Sequence, residues 1–151
     1  MMTINEFKGE FAFLSNFYPS IIEFNGITYP TVEHAYQALK TTDNDQRKKI
    51  ASLAFPGQAK KAGQYLKVRN DWDDIRLGFM EELLNTKFKI PELRDQLIAT
   101  GNQELQEGNW WKDKFWGIYL KDNEGENKLG KLLMKIRTNY TGVTSWRDCK
   151  T

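Results

Sequence analysis

Apolar and polar positions along the chain change their period several times, and each change marks an element. Residues Ile4–Phe17 alternate loosely and run into F-L-S-N-F-Y-P-S. There Ser15, Asn16 and Pro19 predict a loop, with a short strand at Phe11–Phe13. Ile22, Phe24, Ile27 and Tyr29 flank Asn25-Gly26, a pair that supplies the positive φ angles of a type I′ turn and so predicts a hairpin. From Thr31 to Thr41 the pattern becomes helical. Thr31 follows Pro30 and is suited to cap the helix. At about 100° per residue, Val32, Ala35, Tyr36 and Leu39 share an arc of roughly 100°, the stripe that should be buried. Glu33, Gln37 and Lys40 gather on a neighbouring arc of roughly 60°.

Asp43–Ala54 reads as a second helix, capped by Asp43 or Asn44, with Ile50, Leu53 and Ala54 inward. Pro56-Gly57 breaks it, and Gln58–Tyr65 forms a short third helix. The longest helical pattern follows a cap at Asn70 or Asp71, with Trp72, Ile75, Phe79, Leu83 and Phe88 at helical spacing. Pro91 opens another helix that Gly101 stops, with Leu93, Leu97 and Ile98 on its apolar face. Glu104–Gln106 and Trp116–Leu120 read as strands, separated by G-N-W-W-K-D-K-F. The last helix spans Lys128–Tyr140 and buries Leu129, Leu132, Leu133, Ile136 and Tyr140. The prediction is an α+β fold, helix-rich, with a few short antiparallel strands. It forms a single domain over residues 1–140 and a polar tail over 141–151.

Composition narrows the function classes. The chain has 151 residues, 40% of them hydrophobic and 28% charged, as in an ordinary globular domain. A net charge of +2 is too near neutral for a dedicated nucleic-acid or membrane surface. Cys149 and His34 are single, so neither a disulfide framework nor a zinc cluster can form, and the residues require no metal. No signal segment or long apolar run is present, which predicts a cytoplasmic protein. Walker A, G-x-G-x-x-G, G-x-S-x-G and H-E-x-x-H runs are missing. An enzyme built from this chain must therefore rely on Glu, Asp and Lys for proton and nucleophile work.

Several places carry suitable groups. Glu33 and Lys40 lie about 10 Å apart along a helix axis, a gap that suits two groups reaching for one ligand or two unrelated surface charges. Ser15-Asn16-Phe17 sets an amide before an aromatic, either at a ligand or in an Asx turn. Arg69 can fork onto phosphate and Trp72 can stack on a base, or the pair is a surface Arg beside a core Trp. At Asp113-Lys114-Phe115-Trp116-Gly117, the glycine permits close approach of a ligand or marks a bulge. Asn127 and Gly130 begin the last helix, where free N–H groups bind phosphate; a helical glycine equally marks close packing.

These segments line up in one order: F-L-S-N-F-Y-P, Y-P-T-V-E-H-A-Y-Q-A-L-K, K-K-A-G, V-R-N-D-W, L-x-A-T-G, F-W-G-I and N-K-L-G-K-L-L-M-x-I-R. The chain thereby resembles the NADAR family of YbiA-like N-glycosidases from about Phe11 to Tyr140. The resemblance implies a hydrolase, without a cofactor, that cleaves the N-glycosidic bond between a ribose phosphate or ADP-ribose and a base. It implies Lys40 and Glu33, with Asp113, as catalytic residues. Ser15, Asn16, Phe17, His34, Gln37, Arg69, Trp72, Trp116, Gly117, Asn127 and Gly130 become substrate-binding candidates. Riboflavin-type members read W-G-D-G where this chain has Trp116-Gly117-Ile118-Tyr119, a departure that favours an ADP-ribosyl-guanine substrate over a riboflavin-pathway intermediate. ADP-ribosylated DNA or RNA then becomes an expected partner. Two chemistries remain open: a Lys40 Schiff base, or water activated by Glu33 or Asp113. A non-catalytic ADP-ribose sensor is the rival from another class.

Overall fold

The computed structural model describes residues 2–142. In chain order its elements are β1 (Thr3–Ile4), a 3-10 turn (Gly9–Leu14), β2 (Ile22–Phe24), β3 (Ile27–Tyr29), α1 (Val32–Ala38), α2 (Asn44–Ala51), α3 (Pro56–Gly63), α4 (Trp72–Lys87), α5 (Pro91–Ala99), β4 (Glu104–Leu105), β5 (Gly108–Asn109), β6 (Ile118–Tyr119) and α6 (Lys128–Thr141). Asn16–Ile90 forms one compact unit; the segments up to Ser15 and from Pro91 form another.

In the Asn16–Ile90 unit the hairpin forms where the sequence places it. Ile22 pairs with Tyr29 and Phe24 with Ile27, and Asn25 and Gly26 adopt φ of 51° and 79°. β3 leads directly into α1. Thr31 caps α1 by accepting from His34 N at 3.1 Å. The same hydroxyl lies 2.7 Å from His34 Nδ1, and His34 Nε2 lies 2.9 Å from Leu53 O. A carbonyl only accepts, so Nε2 carries the proton and Nδ1 accepts from Thr31. Thr31→Ala removes the cap and leaves a buried imidazole nitrogen without its donor. We expect a loss of about 1–3 kcal/mol, read from the urea midpoint.

α1 differs from the amphipathic helix the sequence suggests. Every residue from Val32 to Leu39 is buried, because the hairpin, α2, α3 and α4 all pack against it. It also stops at Ala38. Lys40 N donates to Gln37 O at 3.2 Å in a tightened last turn, and Lys40 O accepts from Arg69 N at 2.8 Å. Asp43 caps α2 through Asp45 N and Gln46 N, as one of the two readings had it. That helix ends at Ala51, so Leu53 is only half-buried and Ala54 is exposed. α3 starts earlier than expected because Pro56 fits the first helical position. In α4 the buried stripe is Trp72, Met80, Leu83, Leu84 and Lys87; Ile75 and Phe79 are half-buried.

In the other unit, the strand expected at Phe11–Phe13 is the 3-10 turn. It buries the adjacent residues Phe13 and Leu14, which a strand would send to opposite faces. β1 pairs with β4 and β5 with β6, both in parallel. The expected antiparallel strands therefore occur only in the β2–β3 hairpin among the pairs described. β1 and β4 lie far apart in sequence, so no tight turn dictates their direction. α6 buries Leu129, Leu133 and Ile136, while Tyr140 is exposed and Leu132 half-buried. Arg137 takes the interior place instead, donating to Thr100 Oγ1 at 2.9 Å and Gln103 O at 2.8 Å. Of the expected tail, Thr141 closes α6 and residues from 143 onward lie outside the described residues. No helix among the described residues is long and apolar enough to cross a membrane.

Candidate active site

The Asn16–Ile90 unit gathers eight of the sequence candidates. Glu33 and Gln37 face each other one turn apart on α1, where Gln37 Nε2 donates to Glu33 Oε1 at 2.8 Å. Both are buried, so they are not a wet helix face. Glu33 N donates to Asn16 O at 3.1 Å, which sets the Asn16-Phe17 loop against the first turn of α1. Asn16 Nδ2 touches Met80 Sδ of α4 at 3.6 Å, and its buried Oδ1 has no partner among the described residues. Phe17 is 41% exposed, so part of an aromatic ring lies at the surface of this loop.

Lys40 follows the end of α1 and is half-buried. Its Nζ sits 6.0 Å from the centre of the Tyr36 ring. Burial pushes its pKa below the ordinary 10.5 for lysine; Glu33 pulls it back up, and the positive charges of Arg76 and Lys60 push it down again. A carboxylate, an amide and an amine of reduced basicity thus occupy one short stretch.

Three expected binders in this unit are otherwise employed. His34 spends both ring nitrogens on Thr31 and Leu53, and burial lowers its pKa, so it is a neutral brace for α1. Trp72 is only 7% exposed and packs on Tyr36 at 5.1 Å and Phe79 at 6.4 Å, which leaves no open face for a base. Arg69 forks onto Asp71 at 2.7 and 3.2 Å and lies 5.6 Å from the Phe79 ring centre.

The remaining candidates belong to the other unit. Ser15 ends the 3-10 turn, with its N–H on Ala12 O. Asp113 Oδ1 accepts from Phe115 N and Trp116 N, an Asx turn, and its backbone is clasped by Asn109 on both sides. Trp116 meets Phe115 edge to face at 4.8 Å. Gly117 makes room for this chain's own Glu107, which a Cβ would strike, and Gly130 does the same for Leu105 O. Asn127 bridges Glu107 N and Leu105 O with its side chain. The first N–H groups of α6 are not open to phosphate either, since Asn127, Lys128 and Leu129 donate to the carbonyls of Gly117, Phe115 and Trp116.

Comparison with known proteins decides the family. The NADAR domain family model matches residues 4–140. The chain belongs to the NADAR family. It is 39% identical over 128 residues to the riboflavin biosynthesis protein VVA0006 of Vibrio vulnificus, covering 83% of this chain and 34% of that protein. The N-glycosidase YbiA of Escherichia coli is 35% identical over 126 residues, 82% of this chain and 78% of YbiA. The N-glycosidase Npun_R5314 of Nostoc punctiforme is 34% identical over 137 residues, 87% of this chain and 86% of that protein. In three dimensions the solution structure of Escherichia coli YbiA matches with a TM-score of 0.80 at 33% identity, covering 93% of this chain and 86% of that one. The NADAR chain therefore spans about a third of the Vibrio protein's length.

Three cations of this NADAR domain escaped the sequence reading. Lys60 shares the electrostatic field of Lys40, as does Arg76. Lys87 is fully buried, with Nζ 5.8 Å from the Tyr18 ring centre and 5.2 Å from that of Phe88. A signal for Lys87 existed: it lies at helical spacing from Met80, Leu83 and Leu84, on the stripe that packs inward.

Proposed function

We propose that this chain is an N-glycosidase that hydrolyses the bond between the anomeric carbon of a ribose phosphate or ADP-ribose and the nitrogen of a base, with Lys40 as nucleophile and Glu33 as proton carrier. The observation that carries this reading is the half-buried Lys40 amine, 6.0 Å from the Tyr36 ring centre and within the electrostatic influence of Glu33. An ammonium at the ordinary lysine pKa is inert, and here burial outweighs the pull of the carboxylate and moves Lys40 toward the neutral amine. The membership in a family whose relatives bear the name N-glycosidase supports the same chemistry.

In this reading, protonation of the ring oxygen opens the N-linked ribose and leaves the anomeric carbon as an iminium. The Lys40 amine adds there, the C–N bond to the base breaks, and the base leaves with a proton relayed through Glu33. Water then hydrolyses the Lys40 imine, returning the amine and the free sugar. Phe17 is the exposed ring best placed on its loop to stack on the base. The substrate we favour is ADP-ribosyl guanine in nucleic acid, because Ile118-Tyr119 stands where riboflavin-type members carry an acid. The printed names of the Vibrio protein and of a maize relative favour the second reading, a riboflavin-pathway intermediate.

Incubation with an ADP-ribosylated guanine oligonucleotide and, separately, with a ribosylamino-pyrimidine phosphate separates the two. Mass analysis should find restored guanine in the first and released pyrimidine only at a slower rate in the second. Release from neither, with ADP-ribose still quenching Trp fluorescence, would leave the sensor reading.

A further inference from the structure

The net charge of +2 is an average over unlike stretches. From Arg47 to Arg69 the chain holds seven of its 22 basic residues and none of its 20 acidic ones, so the rest of the molecule is net acidic. Two of the seven are committed locally: Arg47 is buried with Nε on Thr41 O, and Arg69 forks onto Asp71. Lys48, Lys49, Lys61 and Lys67 are exposed, and none of the four forms an ion pair among the described residues. Aromatic rings lie among them. Phe55, just before α3, is 66% exposed and Tyr65, just after it, 81%. They stand about 15 Å apart along the helix axis, with Lys61 one turn before Tyr65. α2 and α3 both pack on α1, and Arg69 N donates to Lys40 O at 2.8 Å, so this stretch ends beside the Lys40 backbone.

We propose that the acid-free surface of α2, α3 and the segment that follows to Arg69 docks single-stranded nucleic acid, its lysines meeting phosphates and Phe55 and Tyr65 stacking on bases. Lysines interleaved with exposed rings are what a flexible strand requires: the cations track its backbone and the rings take unpaired bases. A duplex keeps its bases stacked on each other and offers those rings nothing. A membrane surface calls for a continuous apolar helix face, whereas the exposed positions between the two rings include Gly57, Gln58, Lys61 and Gln64. The inference deepens the reading above, in which the favoured substrate is carried in nucleic acid, and rests on that reading only for its turnover arm.

The test is the fluorescence anisotropy of a labelled, unmodified oligothymidine titrated with the full chain across a salt series. Log affinity should fall with log salt at a slope of about −2 to −3, the release expected from three or four phosphates at about 0.7 each. Lys61→Gln combined with Lys67→Gln should flatten that slope by about 1.4 and weaken binding by about tenfold at low salt. Lys121→Gln combined with Lys131→Gln removes the same charge from exposed positions of the other unit and should leave both quantities nearly unchanged. Phe55→Ala and Tyr65→Ala should each weaken binding by roughly fivefold or more without altering the slope, and Tyr65→Phe, which keeps the ring, should bind as the natural chain does. In turnover of an ADP-ribosylated guanine oligonucleotide, the Lys61 and Lys67 pair of substitutions should raise KM while kcat holds within about threefold. The proposal is overturned by an equal loss in the Lys121 and Lys131 control, by a duplex bound as tightly as the single strand, by preference for phosphatidylserine vesicles over the strand, or by no strand binding at low salt. Strand binding as described with no release of base would sink the glycosidase reading and leave the docking surface standing.

Discussion

Replacing Lys40 by alanine is expected to lower the rate of base release by on the order of 10³-fold or more, the scale seen when a covalent nucleophile is removed. Borohydride added during turnover should trap a reduced protein–sugar adduct in the natural chain and none in Lys40→Ala. Glu33→Gln tests the partner. A glutamine there can still accept from Gln37 Nε2, so the local hydrogen bond survives while the charge is lost. Glu33 raises the Lys40 pKa, so its removal should make Lys40 more basic-form neutral and acylated more readily at a given pH. A fall in turnover of roughly 10²–10⁴-fold despite that more available amine would identify Glu33 as the proton carrier. An active natural protein that yields no adduct would exclude the imine, leave direct attack by water, and reduce Lys40 to an electrostatic role.

The parts of this fold that were legible in the sequence are those fixed by neighbours in the chain. Asn25-Gly26 demands positive φ wherever it sits between two apolar pairs, and the hairpin follows. Thr31 caps α1 because the hydroxyl reaches its own helix. Residues whose role depends on distant partners were not legible. Asp113 and Asn127 looked free to meet a ligand, yet the carboxylate oxygen and the amide that the structure accounts for are bonded to backbone of their own unit. Trp72 is a core ring for the same reason: Tyr36 and Phe79 close over it. The parallel pairing of β1 with β4 joins residues that no local pattern connects. α1 gives the sharpest case. Its periodicity showed which face must be buried but not that α2, α3 and α4 would cover the remaining faces, and so not that Glu33 and Gln37 are interior groups.

Lys87→Met is expected to stabilise the protein at neutral pH, an unusual sign for a fully buried residue. Burial alone brings the Lys87 pKa from the ordinary 10.5 to about 7. By the usual conversion of 1.36 kcal/mol per pH unit, that difference costs the fold roughly 5 kcal/mol when the amine is charged in both states. The rings of Tyr18 and Phe88 beside Nζ recover part of it through cation–π attraction. Between pH 7 and 10.5 the unfolded lysine holds a proton that the folded one has released, so stability rises with pH across that window. It is greatest above 10.5 and is lost as pH falls through about 7. Urea unfolding of the natural chain at pH 7 and pH 9 should therefore show higher stability at the alkaline pH, by an amount approaching about 1.4 kcal/mol per pH unit from this group. Lys87→Met should remove that rise and gain about 2–4 kcal/mol at pH 7, the transfer penalty less what the contacts of the amine return. The loop that carries Phe17 also carries Tyr18, so a Met at position 87 removes the cation beneath it. A variant that is less stable at pH 7, or as pH-dependent as the natural chain, would mean that Lys87 is held charged by partners strong enough to repay its burial.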